Sequence, residues 1–255
     1  MKKFLTIAAM FAAVMMSFSS CQEKPDTGKT PVDNTCPDCG EDPCVCDDYV
    51  SPVTIDGNFA DWDALDASKV AVVNSQPEAV YTAITTAKVY ADDVYINIYF
   101  EFDETALTDG GAAFDIYLNQ DGDTGVGDDY YVGQTGVDYL LEDGEFMVGG
   151  VLNSFNPGLF VYGGSRETWE WGWSEVLPAG SGIASGAGNG NKYEMAVMIE
   201  MLQGVELSDT FSLGLMLTDI NADGDWSTVG CLPNANVTDE NTNGKAAFLP
   251  VTIAR

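Results

Sequence analysis

Histidine is absent from this 255-residue chain, and its absence excludes several classes of chemistry. Neither a Ser-His-Asp nor a Cys-His nucleophile pair can be built without it, and histidine-ligated zinc and haem are excluded as well. Basic residues are also scarce, because 10 Lys and Arg stand against 40 Asp and Glu, for a net charge of −30. So acidic a chain repels nucleic acid and anionic lipid, and we expect no nucleic-acid partner. Carboxylate chemistry of the glycosidase kind and oxygen-only calcium binding stay open.

No apolar run is long enough to span a membrane, and the first one is typical of a secretory signal. The basic "MKK" precedes "FLTIAAMFAAVMMSF", which is too short for a transmembrane helix. "SFSSC" then resembles the lipobox of bacterial lipoproteins, and "QEKPD" resembles the surface-export signal of Bacteroidetes lipoproteins. The resemblance implies a signal peptide over residues 1–20 and a lipid anchor on Cys21, at the outer face of the cell outer membrane. The lipid would be the only membrane contact. A soluble secreted protein with an incidental cysteine is the alternative.

Residues 21–49 contain little that could form a core, and they are predicted to be a disordered tether. Their composition is dominated by Pro, Asp, Thr and Cys, and they contain the stretch "CPDCGEDPCVC". Two disulfides, a tetrahedral metal site and unpaired thiols all stay open for the four cysteines, which are Cys36, Cys39, Cys44 and Cys46. The sixth cysteine, Cys231, is expected to be a buried thiol outside any disulfide.

Residues 50–255 have the length of one domain, and apolar residues alternate along them with a period of two. Such runs include "AITTAKVYA", "DVYINIYFEF", "AAFDIYLN", "KYEMAVMIEM" and "TFSLGLMLTD", separated by Gly, Asn and Asp clusters. Two segments, "ADWDALDA" and "IEMLQGVEL", are each expected to form only a turn or two of helix. The pattern predicts an all-β fold, an antiparallel two-sheet β-sandwich of the jelly-roll kind.

Several of these segments, in this order, resemble the family 9 carbohydrate-binding modules and their DOMON-like relatives. The first motif is "TIDGNFADWDAL", which contains Asp56, Gly57, Asp61 and Trp62. "TAKVYADDVYINIYFEFDE", "FDIYLNQDGD", "KYEMAVMIEMLQGVEL" and "SLGLMLTDINADGDW" follow. The resemblance implies a sandwich that holds carbohydrate without cleaving it, without implying which carbohydrate. Trp62 is expected to be buried and to hold the N-terminal strand in place.

Two loops place oxygen-bearing side chains at alternate positions, as calcium requires when a tight loop must direct several oxygens inward. They are "NQDGDTGVGDD", with Asn119, Asp121 and Asp123, and "DINADGDW", with Asp219, Asn221, Asp223 and Asp225. The second loop matches the start of an EF-hand but has Gly230 where the bidentate Glu would stand. We expect structural calcium in one loop or the other, with ordinary Asp-Gly turn chemistry as the alternative. No organic cofactor is predicted.

Tryptophan is concentrated in "TWEWGW", where alternate positions place Trp169, Trp171 and Trp173 on one face of a strand. The other face is polar or small, so most of this face is predicted to point into the core, with Trp171 buried. An end residue is expected to reach a rim where a sugar ring can stack on it. The predicted ligand-binding residues are Trp169, Trp173, Tyr162, Trp226 and Arg166.

These observations favour a non-catalytic glycan-binding surface lipoprotein that uses aromatic stacking and polar contacts at the edge of the sugar. The acidic residues nearest the tryptophans, Glu167, Glu170 and Glu175, are the ones a glycosidase would use. An enzyme is nevertheless not predicted, because the resemblance is to non-catalytic modules. The alternative is a structural or adhesion sandwich that mediates protein–protein contact at the cell surface. An exposed aromatic cleft on the folded domain would favour glycan binding over that alternative.

Overall fold

Strands of alternating burial dominate the structure, a computed structural model that describes residues 49–108, 110–122, 136–163, 172–202, 207–235, 237 and 247–255. The described strands are β1 (Ala71–Asn74), β2 (Ile84–Ala91), β3 (Tyr95–Phe102), β4 (Gly111–Asn119), β5 (Tyr139–Val148), β6 (Val151–Leu152), β7 (Gly158–Tyr162), β8 (Trp173–Leu177), β9 (Ala184–Asn189), β10 (Lys192–Met198), β11 (Thr210–Ile220), β12 (Trp226–Leu232) and β13 (Leu249–Thr252). The helical segments are α1 (Ala60–Ala64) and three 3-10 turns at Ala67–Lys69, Glu104–Ala106 and Ile199–Met201.

The strands form two antiparallel sheets. The small sheet has the order β1-β2-β3-β10-β9. The large sheet has the order β12-β11-β4-β5-β7-β8, with β13 paired to β11 and β6 paired to β5. The prediction of an all-β, antiparallel two-sheet sandwich is confirmed, and Val50–Arg255 forms a compact unit of its own.

The core lies between the sheets because each central strand directs alternate apolar side chains inward. Ile98 and Phe100 of β3 and Phe114 of β4 are all fully buried. The rings of Phe100 and Phe114 stack at 4.3 Å with an interplanar angle of 10°, and Phe146 meets Phe100 edge-on at 5.4 Å. Phe100 belongs to the small sheet, whereas Phe114 and Phe146 belong to the large sheet, so this aromatic stack joins the two sheets. Burying a side chain of this size contributes about 1.5–3 kcal/mol relative to leaving it exposed.

Most of the strands coincide with the predicted period-2 runs, but β1, β9 and β12 do not. The sequence of β9 is "ASGAGN", which has the composition of a turn. It is a strand because Tyr193 of β10 lies against it, and a Cβ at Gly186 would come within 2.4 Å of the Tyr193 hydroxyl. The glycines of β9 therefore provide the close approach of backbone to an aromatic ring. Both predicted helical turns are present, as α1 and as the 3-10 turn at Ile199–Met201.

Each sheet also carries a smaller apolar cluster on its outer face. On the small sheet, the chain before β1, residues 50–70, is here named the covering segment. Its Val53 and Trp62 pack against Tyr99 of β3. On the large sheet, Tyr117, Leu140, Trp173 and Cys231 pack together with Tyr81, Val137 and Val237. Cys231 is fully buried, as predicted.

Candidate functional site

Glu194 of β10 holds the covering segment on the small sheet. Its side chain is fully buried. Oε1 accepts hydrogen bonds from the backbone N–H groups of Asp56 and Gly57, at 3.0 and 2.8 Å, and Oε2 accepts one from Trp62 Nε1 at 3.0 Å. A buried carboxylate needs such donors because it has lost its water. The "IDG" and "DW" parts of the first motif therefore meet on one carboxylate, and Trp62 is buried, as predicted.

Beside this anchor, the covering segment and the small sheet enclose a groove of about 260 Å³. It is here named the aromatic groove, and its lining residues are Phe59, Trp62, Asp63, Lys88, Tyr99, Glu101 and Lys192. The strand residues share the outer face of the sheet because each alternates with an inward-pointing neighbour. The register places Lys88 opposite Tyr99 and Lys192 opposite Glu101. Three adjacent strands, β2, β3 and β10, thus supply one polar wall.

Tyr99, Glu101 and Lys192 are linked along this wall by one hydrogen bond and one ion pair. The Tyr99 hydroxyl donates to Glu101 Oε1 at 2.5 Å, and Lys192 Nζ lies 3.5 Å from the same oxygen. Burial, followed by the hydrogen bond to Glu101 and the charge of that carboxylate, raises the pKa of Tyr99. The tyrosine is therefore a neutral donor, and the position of the Glu101 carboxylate is set from two sides.

Lys88 covers the aromatic floor of the groove. Its ammonium nitrogen lies 5.1 Å from the centre of the Tyr99 ring, within the range of a cation–π contact. In the part of the chain that the structure describes, its nearest carboxylate oxygen is on Asp63, 4.0 Å away, which is too long for a hydrogen bond. The Asp63 side chain is 87% exposed, so this ion pair is weak.

The groove thus combines aromatic rings, two ammonium donors and two carboxylate acceptors. Phe59 is half-buried, whereas Trp62 and Tyr99 are almost fully buried. A flat ligand would therefore contact Phe59 and the charged edge more than the faces of the other two rings. Donors and acceptors placed around a small aromatic surface suit a polyhydroxylated ligand, whose hydroxyls both donate and accept.

Of the described residues predicted to bind ligand, the structure brings Tyr162 and Trp173 together but places Trp226 elsewhere. Tyr162 and Trp173 are adjacent, with ring centres 5.3 Å apart and an edge-to-face arrangement. Trp173 is only 7% exposed and belongs to the cluster on the outer face of the large sheet. Trp226 is 51% exposed, but it lies on β12, and β12 and β8 are opposite ends of the large-sheet order. Trp226 therefore does not form an aromatic pair with Trp173.

Several other predictions fall on residues outside the described ranges. They concern the ligand-binding residues Arg166 and Trp169, the buried Trp171, the acids Glu167 and Glu170, the lipid anchor Cys21, and the tether cysteines Cys36, Cys39, Cys44 and Cys46. Glu175, the third acid near the tryptophans, lies exposed on β8.

Trp226 instead belongs to a row of side chains on the outer face of the large sheet. Pairing across the strands runs from Trp226 to Ile220, Gly111, Val148 and Val151. Directly paired residues point to the same face, and Trp226, Val148 and Val151 are all exposed. This set is here named the apolar row. Gly111 leaves a gap at its centre.

The first predicted calcium loop is partly described. Asn119 is almost fully buried, and its Oδ1 accepts a hydrogen bond from the backbone N–H of Gly122 at 2.6 Å. Asp121 is exposed, and Asp123 lies outside the described residues. The Asn119 oxygen thus closes the turn that presents Asp121.

The second loop is organised by Asn221. Its Oδ1 accepts from the backbone N–H groups of Asp223 and Asp225, each at 2.9 Å, and its Nδ2 donates to Asp225 Oδ2 at 3.2 Å. Asp219 accepts from the backbone N–H of Thr108 at 2.7 Å, before β4. The Asn221 oxygen thus bonds to the backbone of the turn, and Asp219 bonds to the segment before β4. No cluster of three metal-binding carboxylates or cysteines occurs among the described residues.

Sequence reasoning missed the aromatic groove because its residues come from four separated segments. Lys88, Glu101 and Lys192 each look like solvated residues on the polar face of a strand. The available signal was the outward face of β3, where Tyr95, Asn97, Tyr99 and Glu101 alternate with core residues. So many large or polar residues on one face indicate that something covers it.

The described residues therefore form an all-β sandwich with a groove on its small sheet. No protein-family model matches the chain, and no curated protein is significantly similar to it. Within the described ranges, no helix is long and apolar enough to cross a membrane.

Proposed function

We propose that this protein binds glycan without cleaving it, and that the aromatic groove is the binding site. The observation that supports the proposal is the composition of the groove. Three aromatic residues lie beside the ammonium groups of Lys88 and Lys192 and the carboxylates of Asp63 and Glu101. Sugar sites need such a mixture, because a sugar ring places C–H groups against an aromatic surface and hydroxyls at its edge.

The size of the groove limits the ligand. Its volume of about 260 Å³ is just below the ~300–1,000 Å³ that is usual for small-molecule sites. One sugar unit at the end of a chain suits it better than an extended oligosaccharide. Because little aromatic surface is exposed, we expect dissociation constants between about 1 μM and a few mM, which correspond to about −8 to −4 kcal/mol.

The proposal also covers the anchoring of the protein and its calcium. A lipid on Cys21 would hold the sandwich at the outer face of the outer membrane, with the residues before Val50 as the tether. Calcium is proposed for the first loop, where Asp121 is exposed. Loss of membrane association in Cys21→Ser, and protease accessibility of the domain on intact cells, would test the anchor and the location.

The binding proposal is tested with a glycan array followed by calorimetry on the full chain. Glu101→Gln replaces an acceptor oxygen at the groove, and we expect it to weaken binding about tenfold. Glu175→Gln, an exposed acid on the large sheet, is the matched control and should bind normally. Failure to bind any glycan would overturn the proposal. Binding lost in Trp169→Ala or Trp173→Ala, but kept in Glu101→Gln, would move the site to the large sheet.

A second candidate is a structural or adhesion module that contacts another protein, and the apolar row favours it. Exposed aromatic residues are common at the centres of protein interfaces, and Trp226 is exposed at one end of a row whose other end carries two exposed valines. This candidate predicts that Trp226→Ser abolishes cross-linking to a cell-surface protein. If no glycan binds and cross-linking depends on Trp226, the second candidate replaces the first.

A further inference from the structure

We infer that the aromatic groove selects a sugar unit that carries one carboxylate, such as a uronic acid at the end of a glycan chain. This inference rests on the proposed function and specifies its ligand. Positively charged residues are scarce in this protein, and the positions of the few that are present support the inference.

Four of the ten Lys and Arg residues lie in the described part of the chain. Two of them, Lys88 and Lys192, line the groove. The other two, Lys69 and Arg255, engage each other and nearby acids. Lys69 Nζ donates to the backbone oxygen of Arg255 at 3.1 Å, and the Arg255 guanidinium contacts Asp93 and Asp209 at 3.0 and 2.7 Å. Lys69 and Arg255 thus hold Arg255 against neighbouring parts of the domain, whereas Lys88 and Lys192 face the aromatic groove.

The two groove lysines differ in how far protein groups neutralise them. Lys192 has Glu101 at 3.5 Å. Among the described residues, the carboxylate oxygen nearest to Lys88 is 4.0 Å away and belongs to the highly exposed Asp63. Glu101 Oε1 accepts from the Tyr99 hydroxyl and lies 3.5 Å from the ammonium of Lys192. The ammonium of Lys88 therefore has N–H groups available for a ligand acceptor at the floor of the groove.

The register also places the two lysines on either side of β3. Lys88 on β2 and Lys192 on β10 flank β3, and their partners Tyr99 and Glu101 are two residues apart. With strands ~4.8 Å apart and ~3.3 Å per residue, their Cα atoms are separated by about 12 Å. Both ammonium groups line the same groove, so both are within reach of one sugar unit bound there. A carboxylate on that ring would make charge-assisted hydrogen bonds with Lys88, which are stronger than those of a neutral hydroxyl.

The acidic residues limit the ligand to few charges. Asp63 and Glu101 lie at the same groove as the two lysines, so the groove residues have no net positive charge to offer a polyanion. The whole chain carries a net charge of −30, which repels extended anionic polymers at low ionic strength. A ligand with one carboxylate placed against Lys88 meets less repulsion from the groove carboxylates and from the net charge of the protein than a highly charged polymer does.

The test is calorimetry on the full chain with a matched pair of oligosaccharides, one ending in a uronic acid and the other in its methyl ester. The ester keeps the ring and the hydroxyls but removes the charge. We expect the acid to bind about tenfold more tightly than the ester. Lys88→Met should reduce the affinity for the acid to that for the ester. Lys69→Met, which removes a lysine outside the groove, should leave both affinities unchanged.

A measurement on the unmodified protein accompanies the variants. The preference for the acid should shrink as salt is raised from 20 to ~500 mM, because screening weakens the charge contact. A fully de-esterified polyuronate should bind no more tightly, per chain end, than the short acid.

The possible outcomes separate the inference from the function on which it rests. Equal binding of acid and ester, or an acid preference that survives Lys88→Met, overturns the inference and leaves glycan binding intact. Tighter binding of the polyuronate also overturns it. Binding of neither probe, nor of any other glycan, overturns the proposed function itself. A salt-sensitive acid preference that is lost only in Lys88→Met supports both.

Discussion

The dipeptide Asp-Trp occurs in two regions of this molecule, and its tryptophan has opposite environments in them. In the covering segment, Asp61 and Trp62 lie on the small sheet, and Trp62 is 4% exposed. In the turn before β12, Asp225 and Trp226 lie on the large sheet, and Trp226 is 51% exposed. In both regions the aspartate contributes to a local turn, since Asp61 accepts from the Thr54 backbone N–H and Asp225 accepts from a side-chain amide.

The difference comes from residues far away along the chain. Trp62 is buried because Glu194, 132 residues later, accepts its indole N–H and two backbone N–H groups of the same segment. Tyr99 adds a ring contact at 5.7 Å. No such acceptor is described for Trp226, whose partner across the strand is the apolar Ile220. An indole that is buried needs an acceptor for its N–H, whereas an exposed one uses water.

The comparison shows that the exposure of a tryptophan does not follow from its neighbours in sequence. It also distinguishes two surfaces of one sandwich. On the small sheet, the covering segment lies over the outer face, and the aromatic groove lies beside its anchor. On the large sheet, the apolar row is exposed. We propose ligand binding for the first and keep protein contact as the second candidate for the other.

The largest expected effect concerns the two tryptophans themselves. Trp62→Ala should lower the free energy of unfolding by about 3–5 kcal/mol, because it empties a packed site and removes the indole N–H that donates to Glu194 Oε2. Trp226→Ala should change it by no more than about 0.5 kcal/mol, because the side chain is exposed. Urea unfolding followed by circular dichroism measures both values. Similar costs for the two variants would contradict the comparison.

The next largest effect concerns Glu194, which accepts the indole N–H of Trp62. In Glu194→Gln, the amide oxygen can still accept from the backbone N–H groups, but its NH₂ faces the indole N–H of Trp62. We expect a loss of about 1.5–3 kcal/mol in the free energy of unfolding. Glu175→Gln is the exposed control and should be neutral. The loss should be smaller when Glu194→Gln is made in a Trp62→Phe background, because the clash with the indole N–H is then absent.

A smaller effect is expected in the turn before Trp226. Asn221→Ala removes three side-chain hydrogen bonds of this exposed turn and should cost about 1 kcal/mol in the free energy of unfolding, in calcium or in chelator alike. Thermal melts with EDTA and with added calcium provide the measurement. Stabilisation by calcium should instead depend on Asp121 in the first loop and be lost in Asp121→Ala. A calcium effect that Asp223→Ala removes would assign the metal to the second loop.

The smallest expected effect is a loss of folding stability at alkaline pH, and this loss does not occur at neutral pH. Burial and Glu101 raise the pKa of Tyr99 above its ordinary value of 10, so the folded state favours the neutral hydroxyl. The stability that this provides is fully present below pH 10 and is lost as the pH rises further, because the unfolded chain releases the proton more easily. Urea unfolding at pH 9–11 should show a steeper loss for the natural protein than for Tyr99→Phe. Identical slopes would show that Tyr99 does not contribute.

The fold could be predicted largely from local patterns, whereas the groove could not. Alternation in β3 and β11 is strong because each strand is half in the core, so period-2 analysis finds it. β9 was missed because its glycines are required by Tyr193 on another strand. The candidate site was placed at Trp169–Trp173 because tryptophan is conspicuous in a sequence. The groove depends on Lys88 and Lys192, which are inconspicuous until β2, β3 and β10 are aligned.

The amino-acid sequence by itself determined the class of the fold, the acidic surface and the exclusion of histidine chemistry, since these follow from composition and from the alternation of neighbouring residues. It also indicated that the segment with Trp62 is distinctive. Tertiary structure alone decided that Glu194 anchors this segment, that Trp62 is buried while Trp226 is exposed, and that two of the few lysines face one groove. The physical reason is that burial and hydrogen bonding depend on which strands become neighbours, and β3 and β10 are separated by about ninety residues of chain.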